Sequence, residues 1–133
     1  MINKEIFKIA LDTKNFGNLK KYTHSSKLKN SLCGDEIKIY LLIKNNKIKE
    51  FKYEGSSCIY CQASASLFSK SSINKSISNI KRFTKQANGL FENKSIISDI
   101  KWKVFLKIMN KKNSHRKNCL LLPLKATEKA FKN

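Results

Sequence analysis

Apolar side chains recur along this chain with two different periods, and the change from one to the other divides it. From Glu36 to Ile43, Ile37, Ile39, Leu41 and Ile43 alternate with Lys38, Tyr40 and Leu42, the two-residue period of a strand with one buried face. Asn45-Asn46 is a turn signal, and a second alternating run over Lys47 to Glu54 completes a β-hairpin. A hairpin alone is marginally stable; residues 22–30, rich in Ser and Lys, supply the candidate third strand. Ahead of them, Ile6, Ile9 and Ala10 share one face of a short helix over residues 3–11, which Asn15-Phe16-Gly17-Asn18 stops.

From Ile59 the period lengthens. Cys61, Ala65 and Phe68 fall at helical spacing, and Ala63-Ser64-Ala65-Ser66 offers small side chains for close packing. Ile73, Ile77, Ile80, Ala87 and Phe91 carry the helical period until Asn88-Gly89 interrupts it, and Ile97, Ile100, Val104 and Ile108 mark a further helix. Asn110 to Asn118 reads as a basic, polar linker. Cys119 to Phe131 reads as a last helix, in which Pro123 is tolerable only in the first turn. Strands first and helices afterwards predict an α+β fold: a small antiparallel sheet of about three strands covered by helices, in a single domain over residues 1–133.

Composition narrows the class. A hydrophobic share of 41% in 133 residues is enough for a packed core. The longest apolar candidate, Leu120 to Leu124, is far short of the roughly 20 residues that span a bilayer. The N-terminus has neither a long apolar run nor the character of a transit peptide, so a cytoplasmic address is expected, where four cysteines serve as thiols or metal ligands rather than disulfides. The net charge is +19, from 28 basic and 9 acidic residues. Such an excess invites nucleic acid, but 26 of the basic residues are Lys and only Arg82 and Arg116 are Arg, the residue that phosphate and base recognition favours. The Lys surplus also accompanies 14 Asn and 15 Ile, all coded by A- and T-rich triplets, so coding bias accounts for it without a partner. No serine-nucleophile motif, glycine-rich phosphate loop or paired-carboxylate site is visible, which argues against conventional hydrolase or kinase chemistry.

The candidate chemistry lies in the cysteines. In extended chain, residues two apart point to the same side, so Cys33 and Asp35, with the flexible Gly34 between them, can approach one metal ion together. Cys58 falls where the second hairpin strand gives way to a helix, and Cys119 at the start of the last helix with Arg116 and Lys117 beside it; unpaired amides and positive charge favour the thiolate in such places. Each cysteine taken singly also suits a small buried hydrophobe. Cys58-Ile59-Tyr60-Cys61 matches C-x-x-C, but no following strand supplies the βαβ context of a thioredoxin-like pair, and Cys61 shares its face with Ala65 and Phe68, which favours burial. A finger built from Cys58, Cys61, His115 and Cys119 fails on the 53 residues between Cys61 and His115, against about 12 to 15 in a compact finger. His115 then reads as an exposed linker residue and His24 as surface.

Taken in order, these segments resemble the U-type iron-sulfur assembly scaffolds, the SufU, IscU and NifU N-domain group, over nearly the whole chain. Lys14-Asn15-Phe16-Gly17 is similar to the family's Arg-Asn-x-Gly segment, and Asn30-Ser31-Leu32-Cys33-Gly34-Asp35 to its Asn-Pro-x-Cys-Gly-Asp signature. Tyr53-Glu54-Gly55-Ser56-Ser57-Cys58 with Ala63-Ser64-Ala65-Ser66 resembles the Gly-x-Gly-Cys and Ala-Ser-Ala-Ser block, and the residues from Arg116 to Leu124 the segment around the third cysteine. The interval of 61 positions from Cys58 to Cys119, and the absence of a Leu-Pro-Pro-x-Lys motif before Cys119, place the likeness nearer the SufU-like branch. Ser57 stands where the family has Gly, and Asn118 where it tends to place His or Lys.

The resemblance implies a SufE/NifU-like α+β domain in which Cys33, Asp35, Cys58 and Cys119 converge on one site. That site would hold a transient 2Fe-2S iron-sulfur cluster or Zn²⁺, with Cys119 and Cys33 the candidates to accept sulfur and Asp35 a displaceable ligand. It implies a cysteine desulfurase (SufS/IscS-like) as sulfur donor, downstream acceptor or carrier proteins, and room for a homodimer around a cluster. Such a protein is a scaffold or sulfur carrier rather than an enzyme, or, if an enzyme, a sulfurtransferase. Lys101, Lys103, Lys107, Lys111, Lys112, Arg116 and Lys117 could steer an acidic partner such as the desulfurase. Two other readings fit the same residues: a zinc-dependent sulfur relay, and a basic nucleic-acid-binding protein with a structural metal.

Overall fold

The computed structural model describes residues 4–32 and 34–132; the expectation for Cys33 therefore lies outside the described residues. Its core is an antiparallel sheet in the order β1 (His24–Lys29), β2 (Glu36–Lys44), β3 (Lys47–Glu54). The hairpin turn uses the Asn pair as expected, both residues at positive φ (53° and 65°), the backbone that a two-residue hairpin with right-handed twist requires. Ile37, Ile39 and Leu41 of β2 lie on the inward face beside Phe51 and Tyr53 of β3, all buried. The Ser- and Lys-rich third strand forms as β1, pairing Ser26 with Ile39 and Leu28 with Ile37. Ser26, the buried residue of that strand, donates from its hydroxyl to the Ala126 carbonyl, which satisfies a polar group on the covered face. The stop segment after the first helix has a second role: the Gly17 N–H donates to the Tyr53 carbonyl and the Tyr53 N–H to the Asn15 carbonyl, covering the open edge of β3.

Of the helices α1 (Lys4–Ala10), α2 (Ile59–Ser71), α3 (Ile77–Leu90) and α4 (Lys117–Phe131), α4 packs against β1 and β2 and α2 against β3, with α2 between α1 and α4 and α3 against α4. The small-residue block is buried in α2 at this contact. Ser64 Oγ donates to the Leu120 carbonyl at 2.6 Å, so the short side chain both permits the approach of α4 and ties it down. Beyond α2, Phe68, Phe83, Trp102 and Phe105 build an aromatic cluster in which Phe83 and Trp102 stack at 4.2 Å with planes 2° apart. Trp102 Nε1 finds its acceptor in Asn79 Oδ1 at 2.7 Å.

Five sequence readings are corrected. The helical period does not run from Ile73 to Ile77, because a turn with Asn74 at φ 66° separates α2 from α3, and Ser76 caps α3 by accepting from the Asn79 N–H. Asn88-Gly89 does not end α3, which continues to Leu90; a Cβ on Gly89 would come within 2.0 Å of Ser95 Oγ, so the glycine answers to close approach of the following chain. Ile100–Lys107 forms a 3-10 helix, and the supposed linker contains a second 3-10 turn, Lys111–Arg116, held by buried Asn113, whose amide donates to the Ile108 carbonyl. Pro123 is the seventh residue of α4, beyond the first turn, and buried. It cannot donate the amide hydrogen bond that position 119 would ordinarily receive, and Thr127 Oγ1 donates to the Pro123 carbonyl one turn on. No helix among the described residues is long and apolar enough to cross a membrane.

Candidate metal centre

Three separate stretches of backbone bring side chains to one point near the head of β2. The β1–β2 loop is closed on itself: the Asn30 N–H donates to the Asp35 carbonyl at 2.7 Å, the Gly34 N–H to the Asn30 carbonyl at 2.8 Å, and the Leu32 N–H to Asn30 Oδ1 at 3.0 Å. Gly34 takes φ 76° in this tight turn, and Asp35 emerges from it with its side chain buried.

The second stretch follows β3. Gly55 has φ 143°, and a Cβ there would lie 2.2 Å from the Glu36 carbonyl oxygen, so only glycine lets the chain cross β2 so closely. The Glu36 N–H donates to the Ser56 carbonyl at 2.9 Å, laying this loop along the first residue of β2. It delivers half-buried Cys58 to the N-cap of α2. The Cys58 N–H donates to Asp35 Oδ1 at 3.0 Å, which fixes the carboxylate against the second loop. The other oxygen, Asp35 Oδ2, is buried without a hydrogen-bond partner among the described residues. A buried carboxylate oxygen in that state ordinarily signals an absent cation or donor.

The third stretch is the start of α4. Cys119 is its third residue and is 4% exposed. One carboxylate oxygen of Asp35 and the sulfurs of Cys58 and Cys119 all lie within 4.8 Å of one another, the only such group of three among the described residues. Sulfur, sulfur and oxygen at that separation make a donor set for a soft or borderline cation. The structure thus brings Asp35, Cys58 and Cys119 together as the sequence suggested.

The remaining candidates separate cleanly. Cys61 is wholly buried in the hydrophobic core and takes no part in the three-ligand group, so the C-x-x-C reading is not what the geometry supports. His115 is exposed and outside the group, although it is less idle than a linker residue: its ring meets Tyr60 edge-on at 6.0 Å. Arg116 is the residue whose role the spacing understated. Its guanidinium donates to the Cys119 sulfur, and that contact, with Cys58 and Tyr60 nearby, raises the Arg116 pKa further above its ordinary value. Adjacency in sequence pointed to Arg116; nothing in the periodicity pointed to Tyr60, which it meets only through the tertiary fold.

Comparison with known proteins gives the same picture. Residues 1–92 match the NifU-like N terminal domain family. The chain is 32% identical over 111 residues to the iron-sulfur cluster assembly scaffold protein IscU of Thermotoga maritima, covering 76% of this chain and 78% of that one. It is 33% identical over 114 residues to an uncharacterized protein of Borreliella burgdorferi, covering 84% and 74%. Among solved structures, a putative iron-sulfur cluster assembly scaffold protein for the SUF system from Fervidobacterium islandicum superposes with a TM-score of 0.88 at 26% identity, over 97% of this chain and 95% of that one. The N-terminal part of a nitrogen-fixing NifU-like protein from Brucella abortus reaches the same TM-score at 18% identity, over 98% and 91%, a likeness of fold. With its three-stranded sheet, its helical cover and its matched residues, the chain belongs to the NifU-like N-terminal domain family of iron-sulfur cluster assembly scaffolds.

Proposed function

We propose that the protein assembles iron-sulfur clusters by taking sulfur from a cysteine desulfurase and holding iron, or a nascent 2Fe-2S cluster, on Cys33, Asp35, Cys58 and Cys119 before release to an acceptor protein. The observation that carries this reading is the mutual approach of Asp35, Cys58 and Cys119 within 4.8 Å, with one buried Asp35 oxygen lacking a hydrogen-bond partner among the described residues. Cys33 joins them on sequence grounds, two residues from Asp35 across Gly34. The cluster is cargo, and the donor set suits cargo: thiolates grip the metal, while a carboxylate binds iron less tightly and can be displaced to open a position. Sulfur would arrive as the outer atom of a persulfide. A scaffold thiolate, Cys119 or Cys33, attacks that atom, the new S–S bond forms as the old one breaks, and the donor cysteine leaves as thiolate. The Arg116 guanidinium stands at the Cys119 sulfur, a positive charge beside one of the two candidate nucleophiles.

One observation favours a second reading, in which a single Zn²⁺ serves sulfur transfer. Tetrahedral zinc with thiolate bonds of about 2.3 Å places neighbouring ligand atoms a little under 4 Å apart, and the present spacing needs to contract only by about 1 Å to reach it. The deciding experiment is metal analysis with an absorbance spectrum on protein purified without oxygen. Charge-transfer bands that grow when iron, cysteine and a desulfurase are added support the scaffold. One zinc per chain with no chromophore, unaltered by those additions, overturns it in favour of the relay.

A further inference from the structure

Tyr60 lies in the first turn of α2, two residues after Cys58, and packs half-buried against the core. The guanidinium carbon of exposed Arg116 stands 5.1 Å from the centre of its ring, and the His115 ring meets the same Tyr edge-on at 6.0 Å and 75°. A ring anchored by packing beside a long, flexible side chain is the member of the pair that sets position. Arg116 is also the cation at the rim of the three-ligand group, where two thiolates and a carboxylate leave a bound divalent ion with a net charge of about −1, and a third thiolate would make it −2.

We propose that Tyr60 is a positioning residue for this site: its ring holds the Arg116 guanidinium over the rim, where the positive charge offsets the excess negative charge of the loaded centre and slows loss of the ion. The proposal deepens the metal-site reading and rests on it. An aromatic face is needed, so Phe should serve and Leu, of similar apolar bulk, should not.

The chain contains only two arginines, Arg82 and Arg116, so their side-chain Nε–H signals can be told apart by ¹⁵N NMR on ion-free protein. In the native protein the Arg116 signal should be displaced upfield by the ring and the Arg82 signal should not. Tyr60→Phe should keep the displacement and Tyr60→Leu should abolish it. The second measurement follows release of Co²⁺ to a chelator through its thiolate charge-transfer bands. Tyr60→Leu should release Co²⁺ about two- to fivefold faster, Tyr60→Phe at the native rate, and with Arg116→Ala in place Tyr and Leu at position 60 should behave alike. An equal effect of Tyr60→Leu with and without Arg116, or Phe as damaging as Leu, overturns the proposal by reducing Tyr60 to packing. Failure of the native protein to take up Co²⁺ at all overturns the metal-site reading, while the arginine signals still report whether the ring holds the guanidinium.

Discussion

The two carboxylate oxygens of Asp35 do different things, and a substitution can separate them. Oδ1 accepts from the Cys58 N–H and Oδ2 is buried without a partner among the described residues. Asp35→Asn keeps an oxygen for the first task and removes a buried charge, so the ion-free protein is expected to be no less stable by chemical denaturation in chelator. Its zinc affinity should fall tenfold or more, measured by competition with a chromophoric chelator, because the anionic ligand is gone. Gly55→Ala offers the opposite pattern. The strained φ and the collision with the Glu36 carbonyl should lower stability by about 2–4 kcal/mol, and ion binding should fail with it, since the same loop carries Cys58. Cys61→Ala should cost about 1 kcal/mol of stability by leaving a small gap in the core while metal stoichiometry stays at the native value.

At the scale of elements, the site depends on how closely α4 lies against α2. Ser64→Val replaces the hydroxyl that binds the Leu120 carbonyl with a branched side chain in a fully buried contact. Overpacking and the lost hydrogen bond together should destabilise by about 1–3 kcal/mol, and zinc affinity should drop because Cys119 rides on α4. The sheet was legible in advance because a period of two is unlike anything else, and an Asn pair between two such runs admits few other structures. The helical half was legible in existence but not in type. A 3-10 helix and an α-helix both repeat near every third residue, so Ile97, Ile100, Val104 and Ile108 could not distinguish them. The segment before Cys119 was misread as a linker because its anchors are Asn110 and Asn113, polar residues whose hydrogen bonds are made to backbone and leave no mark in a hydropathy pattern. Asp35, Cys58 and Cys119 were named together through the family resemblance of the segments that carry them, whereas nothing in the sequence marks the Tyr60–Arg116 contact.

For the whole molecule, charge sets the response to solvent. With a net charge of +19 and ion pairs that are partly or fully exposed, long-range repulsion outweighs local attraction, so raising salt from low ionic strength to about 0.5 M should raise the Tm, read by circular dichroism. Acid should do the reverse. Asp12 is held below its ordinary value of 3.8 by Lys70, Asp99 below the same value by the Lys101 N–H and Asn79, and Glu92 below 4.5 by Lys94. Folded values lower than unfolded ones mean that their contribution is fully present above pH 4.5 and is lost as pH falls through the depressed values. Protonating them also raises the net charge, so a denaturation midpoint followed from pH 6 to pH 2 should fall mainly below pH 4.

The position of Cys119 on the last helix also governs when the centre can exist. During synthesis, a nascent chain emerging from the ribosome presents Asp35 and Cys58 early, but their partner thiol arrives only after the sheet, α2, α3 and both 3-10 turns have been made. Until then Asp35 and Cys58, with Cys33 beside them in the proposed site, lack the Cys119 thiol, and the proposed centre would be complete only once α4 is made. On the proposed function, loading would follow translation of that helix, and a chain truncated before Cys119 should hold an ion more weakly than the full chain.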